Sequence, residues 1–110
     1  MNLEFVLLSH SPKGRVFRQE ENSGKICLMF NNITQNFSLC DFFRLKKSVE
    51  EIDIVSFFRQ TTHNSKLHIR TDFRDLFFSF TEEEIYELRG LLLTAEFKLA
   101  VEENLRSSRN

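Results

Sequence analysis

Lys25-Ile26-Cys27-Leu28-Met29-Phe30-Asn31-Asn32-Ile33-Thr34-Gln35-Asn36-Phe37-Ser38-Leu39-Cys40-Asp41 reads as a strand, a turn, a second strand and the start of a helix. Ile26, Leu28 and Phe30 alternate onto one side while Cys27 and Met29 take the other, the period of a half-buried strand. Asn31-Asn32 suits a two-residue primed turn, because asparagine tolerates positive φ. The hairpin then continues from Ile33 to Phe37. Ser38, followed three positions later by Asp41, can cap a helix, its hydroxyl accepting from a free backbone N–H. Phe42, Leu45, Val49 and Ile52 then fall at helical spacing. Strands followed by a helix on the same stretch of chain point to the α+β class.

Upstream, Arg15 to Gln19 reads as a short strand joined to this hairpin through Glu21-Asn22-Ser23-Gly24. Ahead of it, Leu3 to Ser9 predicts another strand that turns through Pro12-Lys13-Gly14. Downstream, the chain can be laid on itself without a gap at a shift of 41 positions. Val16-Phe17-Arg18-Gln19 then meets Phe57-Phe58-Arg59-Gln60, Lys25-Ile26 meets Lys66-Leu67, and Phe37-Ser38-Leu39 meets Phe78-Ser79-Phe80. The second copy would run as a strand from Ile54 to Gln60, a turn at His63-Asn64-Ser65, a strand from Lys66 to Thr71, and a third from Leu76 to Phe80. Thr81 with Glu84 forms a capping box, Glu82, Glu83 and Glu84 complement the helix dipole, and Ile85, Leu88, Leu92, Ala95 and Leu99 make an apolar stripe to about Leu105.

The expected fold is therefore a mainly antiparallel sheet of about six or seven strands with two helices, arranged as a tandem βββα repeat with pseudo-two-fold symmetry. Residues 1–105 would form a single domain, with repeat units at about 15–53 and 54–105, and residues 106–110 a polar, frayed tail.

Composition excludes several function classes. Charged residues are 28% of the chain and hydrophobic ones 41%, the balance of a folded protein. Thirteen Phe beside one Tyr and no Trp add buried area without polar groups that need partners. With 15 basic and 16 acidic residues there is no overall field to draw the protein onto nucleic acid or an anionic membrane. Two cysteines, Cys27 and Cys40, are too few for a disulfide framework and favour a reducing, cytoplasmic setting. The acid at Glu4 and the short apolar run ending by Ser9 do not read as a signal peptide, and no segment approaches a membrane-spanning length.

Chemistry-bearing residues are sparse. His10, Cys27, Cys40, His63 and His68 show no C-x-x-C or H-x-x-x-H spacing, and the only metal arrangement open to the repeat sets Cys27 opposite His68. Ser9-His10-Ser11 is not a nucleophile with its base, since neighbours in an extended segment point to opposite faces. Gly14, Gly24 and Gly90, the only glycines, form no phosphate loop. No enzyme, metal or cofactor is expected. Two surfaces remain. Leu91, Leu92, Leu93, Phe97, Leu99, Ala100 and Val101 are more apolar residues than one narrow stripe can hold, so the helix is either sandwiched inside its own domain or docks on a second copy or another protein, with Leu92, Leu93, Phe97 and Val101 as the interface. Arg18, Lys25, Arg59, Lys66 and Arg70, interleaved with Phe17, Phe58 and Phe73, would suit RNA or single-stranded DNA as the alternative. The leading expectation is a non-enzymatic protein-interaction module whose partner is either another protein or a second copy in a homodimer.

The stretch Leu7-Leu8-Ser9-His10-Ser11-Pro12-Lys13-Gly14-Arg15-Val16-Phe17-Arg18, continuing through Lys25 to Leu39 into the capped helix, resembles a family of small uncharacterised bacterial proteins of the Bacteroidetes type. That resemblance implies a bacterial cytoplasmic protein of unknown function and adds no site residues. Some proteins of that sort carry paired cysteines near the turn where this chain has Gln19 and Asn22, so a metal role of theirs would not transfer here.

Overall fold

The computed structural model describes residues 5–20, 25–60, 65–71 and 74–108, with side chains described as far as Leu105. Four strands, β1 (Phe5–His10), β2 (Gly14–Gln19), β3 (Ile26–Phe30) and β4 (Ile33–Phe37), form an antiparallel meander in chain order. Helices α1 (Leu39–Glu50) and α2 (Ile54–Gln60) follow, then a separate hairpin of β5 (Leu67–Arg70) and β6 (Phe77–Phe80), and last α3 (Glu82–Ser108). The class is α+β.

The opening stretch folds as its pattern dictates. Ile26, Leu28 and Phe30 are buried, Met29 is exposed, and Phe30 pairs with Ile33 across the two-residue turn. Asn31 takes φ 55°, the positive value that a primed turn needs at its first central residue. Ser38 caps α1, its Oγ accepting from Asp41 N at 3.1 Å. Phe42 and Val49 are fully buried, and moving a side chain such as Phe42 out of water contributes about 1.5–3 kcal/mol.

The predicted strand over Ile54–Gln60 is a helix. Asp53 Oδ1 accepts from Ser56 N at 3.0 Å, and Asp53 O accepts from Phe57 N at 3.0 Å, so an aspartate cap starts a turn that the chain continues. Ile54, Phe57 and Phe58 then share the core-facing side at helical spacing, which a strand would have split between two faces. The consequence is three helices in place of two, and two sheets in place of one. The gap-free repeat is not kept in the register either. Ile26 pairs with Phe37, whereas its counterpart Leu67 pairs with Phe80, and Phe78 faces Ile69. The β5–β6 connection is longer than the two-residue turn between β3 and β4, and that length absorbs the difference. The expected turns at Glu21–Gly24 and His63–Asn64, and the start of the first strand at Leu3, lie outside the described residues. α3 extends past Leu105 to Ser108, taking in part of the expected tail.

One core joins these parts. Val16, Ile26, Leu28 and Phe30 of the sheet meet Ile85, Leu88, Leu91, Leu92 and Ala95 of α3, with Phe42 and Val49 of α1 closing one side. Phe30 and Phe80 touch edge to face, centroids 5.8 Å apart, so this ring pair links the meander to the hairpin. Gly14 of β2 is packed tightly between β3 and the Leu91 side chain of α3. A Cβ there would lie 2.8 Å from Phe30 Cδ2, 2.9 Å from Leu91 Cδ2 and 2.9 Å from Met29 O.

Polar contacts fix how α3 lies on the sheet. Thr81 and Glu84 form the expected capping box, Thr81 N donating to Glu84 Oε1 at 2.9 Å and Glu84 N to Thr81 Oγ1 at 3.2 Å. The other oxygen of Glu84 accepts from Asn31 Nδ2 at 2.8 Å and lies 3.5 Å from Lys13 Nζ. The Thr81 backbone N–H, the Asn31 amide and the nearby Lys13 charge together hold the Glu84 carboxyl below the usual carboxylate range. Buried Ser9 donates to Leu91 O at 2.8 Å, Arg18 Nε pairs with Glu102 Oε2 at 2.9 Å, and Lys98 Nζ donates to Leu7 O at 2.8 Å. Lys98 thereby occupies a carbonyl on the outer edge of β1, and a bulge between Leu7 and Ser9 breaks the same strand's register.

Candidate functional site

The face of α3 that points away from the sheet stands out on chemical grounds. A surface helix ordinarily sets charged residues opposite its buried stripe. Here Ile85, Leu88, Leu92 and Ala95 are buried, yet Tyr86, Gly90, Leu93, Phe97 and Val101 are all exposed. At about 100° per residue these five fall within roughly 80° of arc. Among the described residues that arc carries no charge between Tyr86 and Val101. Apolar residues therefore occupy both sides of α3, and the helix has almost no amphipathic bias.

Six charged residues of α3, Glu84, Glu87, Arg89, Glu96, Lys98 and Glu102, are engaged beside that arc or toward the sheet. Glu84, Glu87 and Glu102 face β1, β2 and the turns beside them, Glu87 accepting from Ser11 Oγ and from Lys13 N. On the other flank Lys46 of α1 bonds both Glu50 and Glu96, the latter at 3.0 Å, and these two carboxylates raise the lysine's pKa. Arg89 stands over the Tyr86 ring at 5.4 Å.

Of the interface residues expected from the sequence, Leu93, Phe97 and Val101 are 41%, 70% and 39% exposed. Leu92 is 1% exposed and belongs to the domain's own core, because one residue's rotation turns it from the outward arc to the sheet. Sequence reasoning missed Tyr86 and Gly90. Their spacing to Leu93 and Phe97 was readable, but only knowing which side of α3 meets the sheet assigns them to one face.

The five basic residues expected to form a nucleic-acid face are distributed over the molecule. Arg18 is part-buried against Glu102, Lys25 precedes β3, Arg59 is on α2, and only Lys66 and Arg70 are together, at β5. On the outward side of the hairpin Arg70 stands 6.0 Å over Phe77, which is 46% exposed, and the His68 ring meets the same phenyl edge-on at 6.4 Å. His68 Nδ1 lies 2.6 Å from Ser79 Oγ. Phe17 is half-buried on β2, Phe58 packs on the core, and Phe73 lies outside the described residues.

Other chemistry is thinly represented. Cys27 and His68 belong to different sheets, and among the described residues no group of three or more His, Cys, Asp or Glu is placed to hold a metal ion. Burial pushes the Cys27 thiol up, away from the thiolate that would react or ligate. Ser9 and Ser11 both turn to α3 while His10 is exposed opposite Arg15. A groove of about 190 Å³ between β4, α1 and the hairpin holds Asp41, Arg44 and Arg70, with Arg44 and Asp41 3.4 Å apart. That is smaller than the ~300–1,000 Å³ of ordinary small-molecule sites. No helix among the described residues is long and apolar enough to cross a membrane.

A family model described as a family of unknown function, DUF6686, matches residues 1–108. No curated protein and no solved structure matches the chain.

Proposed function

We propose that this chain, which belongs to the family of unknown function DUF6686, is a non-enzymatic protein-interaction module that docks through the outward face of α3. The observation that carries this reading is Phe97, 70% exposed at the middle of an uncharged apolar arc on a helix whose opposite side already fills the core. A ring that exposed contributes little burial to the monomer. Covered by a partner it would contribute as interface anchors do, since aromatic side chains in desolvated pockets dominate binding energy. The two free cysteines fit a reducing, cytoplasmic setting for that partner.

The test is Phe97→Glu, assayed by light scattering across a concentration series and by affinity capture from cell extract. The reading expects Phe97→Glu to keep its thermal midpoint and to lose whatever association or capture the native chain shows. Equal behaviour of native chain and variant in both assays would reject it.

A second reading has one observation in its favour. Arg70, His68 and Phe77 make a small cationic and aromatic platform on the hairpin, beside Lys66, which would suit a stacked base and a phosphate. A mobility shift with mixed single-stranded oligonucleotides at low salt, lost in Phe77→Ala, would support it. No shift would remove it.

A further inference from the structure

Resting on the docking surface proposed above, we infer that its occupant is a second copy of this chain, with the two α3 helices crossing antiparallel so that Phe97 of each lies against Gly90 of the other. Gly90 is the first observation. It sits inside a long helix, where glycine costs about 1 kcal/mol relative to alanine, and a Cβ added there meets nothing within 4 Å. Among the described residues nothing packs into the space its missing side chain leaves. Contrast Gly14, which three atoms under 3.0 Å from a Cβ would force to remain glycine. A helix glycine facing open space leaves room for a side chain from outside to approach the backbone there.

The second observation is that the complement to this notch lies on the same face. Phe97 is two turns along the same arc and is the most exposed large hydrophobic among the described residues. In a two-fold contact residue i of one copy meets j of the other and j meets i, so a self-complementary surface must hold knob and hole together. An axis beside Leu93 and Thr94 sets Phe97 against Gly90 of the second copy and Tyr86 against Val101 of the second copy. A large side chain meets a small one at each pair, and the central leucines meet across the axis. Electrostatics permit it. The arc carries no charge between Tyr86 and Val101, and of the charged residues beside it Glu96 is paired with Lys46 and Arg89 lies over its own Tyr86 ring, so no row of like charges opposes the approach of two identical copies.

The arrangement is tested by association and by geometry. Sedimentation of the native chain should show a monomer–dimer equilibrium, weakened about tenfold or more by Phe97→Ala. Gly90→Ala should raise the thermal midpoint measured at low concentration, as removal of a helix glycine does, while weakening association. A merely structural role for Gly90 would not split the two readouts in opposite directions. In a background of Cys27→Ser and Cys40→Ser, mild oxidation of Tyr86→Cys mixed with Val101→Cys should give a mixed disulfide dimer, and either variant alone should not. Ready self-linkage of Tyr86→Cys alone would show a parallel contact and overturn the antiparallel one. A native chain that stays monomeric throughout overturns the second copy as occupant. In that case Phe97-dependent capture of another protein would leave the docking reading standing, and its absence would end both.

Discussion

Val16-Phe17-Arg18-Gln19 and Phe57-Phe58-Arg59-Gln60 differ only in their first residue, and one is strand while the other is helix. Local composition cannot decide between them. Val16–Gln19 lies in β2 with β1 on one side and β3 on the other, so the segment's backbone groups are claimed by two neighbouring strands before any helical turn can use them. Phe57 follows Asp53, whose side chain and carbonyl start a helix, and among the described residues no strand pairs beside it to compete. The same arginine therefore points into a part-buried ion pair at Arg18 and into solvent at Arg59. Propensity is a weak prior that a cap or a neighbouring strand overrides.

Substitutions that make the two tetrapeptides more alike, or remove what separates them, probe this lesson. Val16→Phe makes them identical. It forces extra volume into a site that is 0% exposed and should cost about 1–3 kcal/mol by denaturant unfolding, with the strand retained in the far-ultraviolet spectrum. A helical signal gained in its place would show that the first residue, not the setting, decides. Arg18→Ala should cost about 1–2 kcal/mol by loss of a charge-assisted bond and its packing, against less than about 0.5 kcal/mol for Arg59→Ala in the same assay. Asp53→Ala should cost about 1 kcal/mol and reduce helical signal, since the cap that opens α2 is gone. The smallest effect is one of pH. Glu84 is depressed in the folded state, so its contribution is present above the ordinary carboxylate pKa and is lost as pH falls through the depressed value. Glu84→Gln should flatten the acid limb of thermal midpoint against pH, leaving the neutral limb parallel to that of the native chain.

Legibility in the sequence followed the range of the forces involved. The β3–β4 hairpin, the Ser38 cap and the Thr81–Glu84 box rest on contacts a few residues apart, and each forms where its pattern places it. The division into two sheets did not follow, because it depends on α2 displacing a strand. For α2 the Asp53-to-Ser56 spacing and the Ile54, Phe57, Phe58 periodicity were both present as signals, and the likeness to Val16–Gln19 obscured them. At the candidate site the excess of apolar residues on the last helix was legible. Which of them face outward was not, since adjacent Leu92 and Leu93 differ only in where the sheet happens to be.

The contacts that seat α3 join residues far apart in sequence: Ser9 to Leu91 across 82 positions, Arg18 to Glu102 across 84, and Leu7 to Lys98 across 91. During synthesis the meander leaves the ribosome with Val16, Ile26, Leu28 and Phe30 bare and the β1 edge uncovered, and neither is closed until the final quarter of the chain emerges. The nascent chain thus passes through an interval in which its stickiest surface is its earliest-made one, and a message cut short before Glu82 would yield a product destined for chaperones or aggregates.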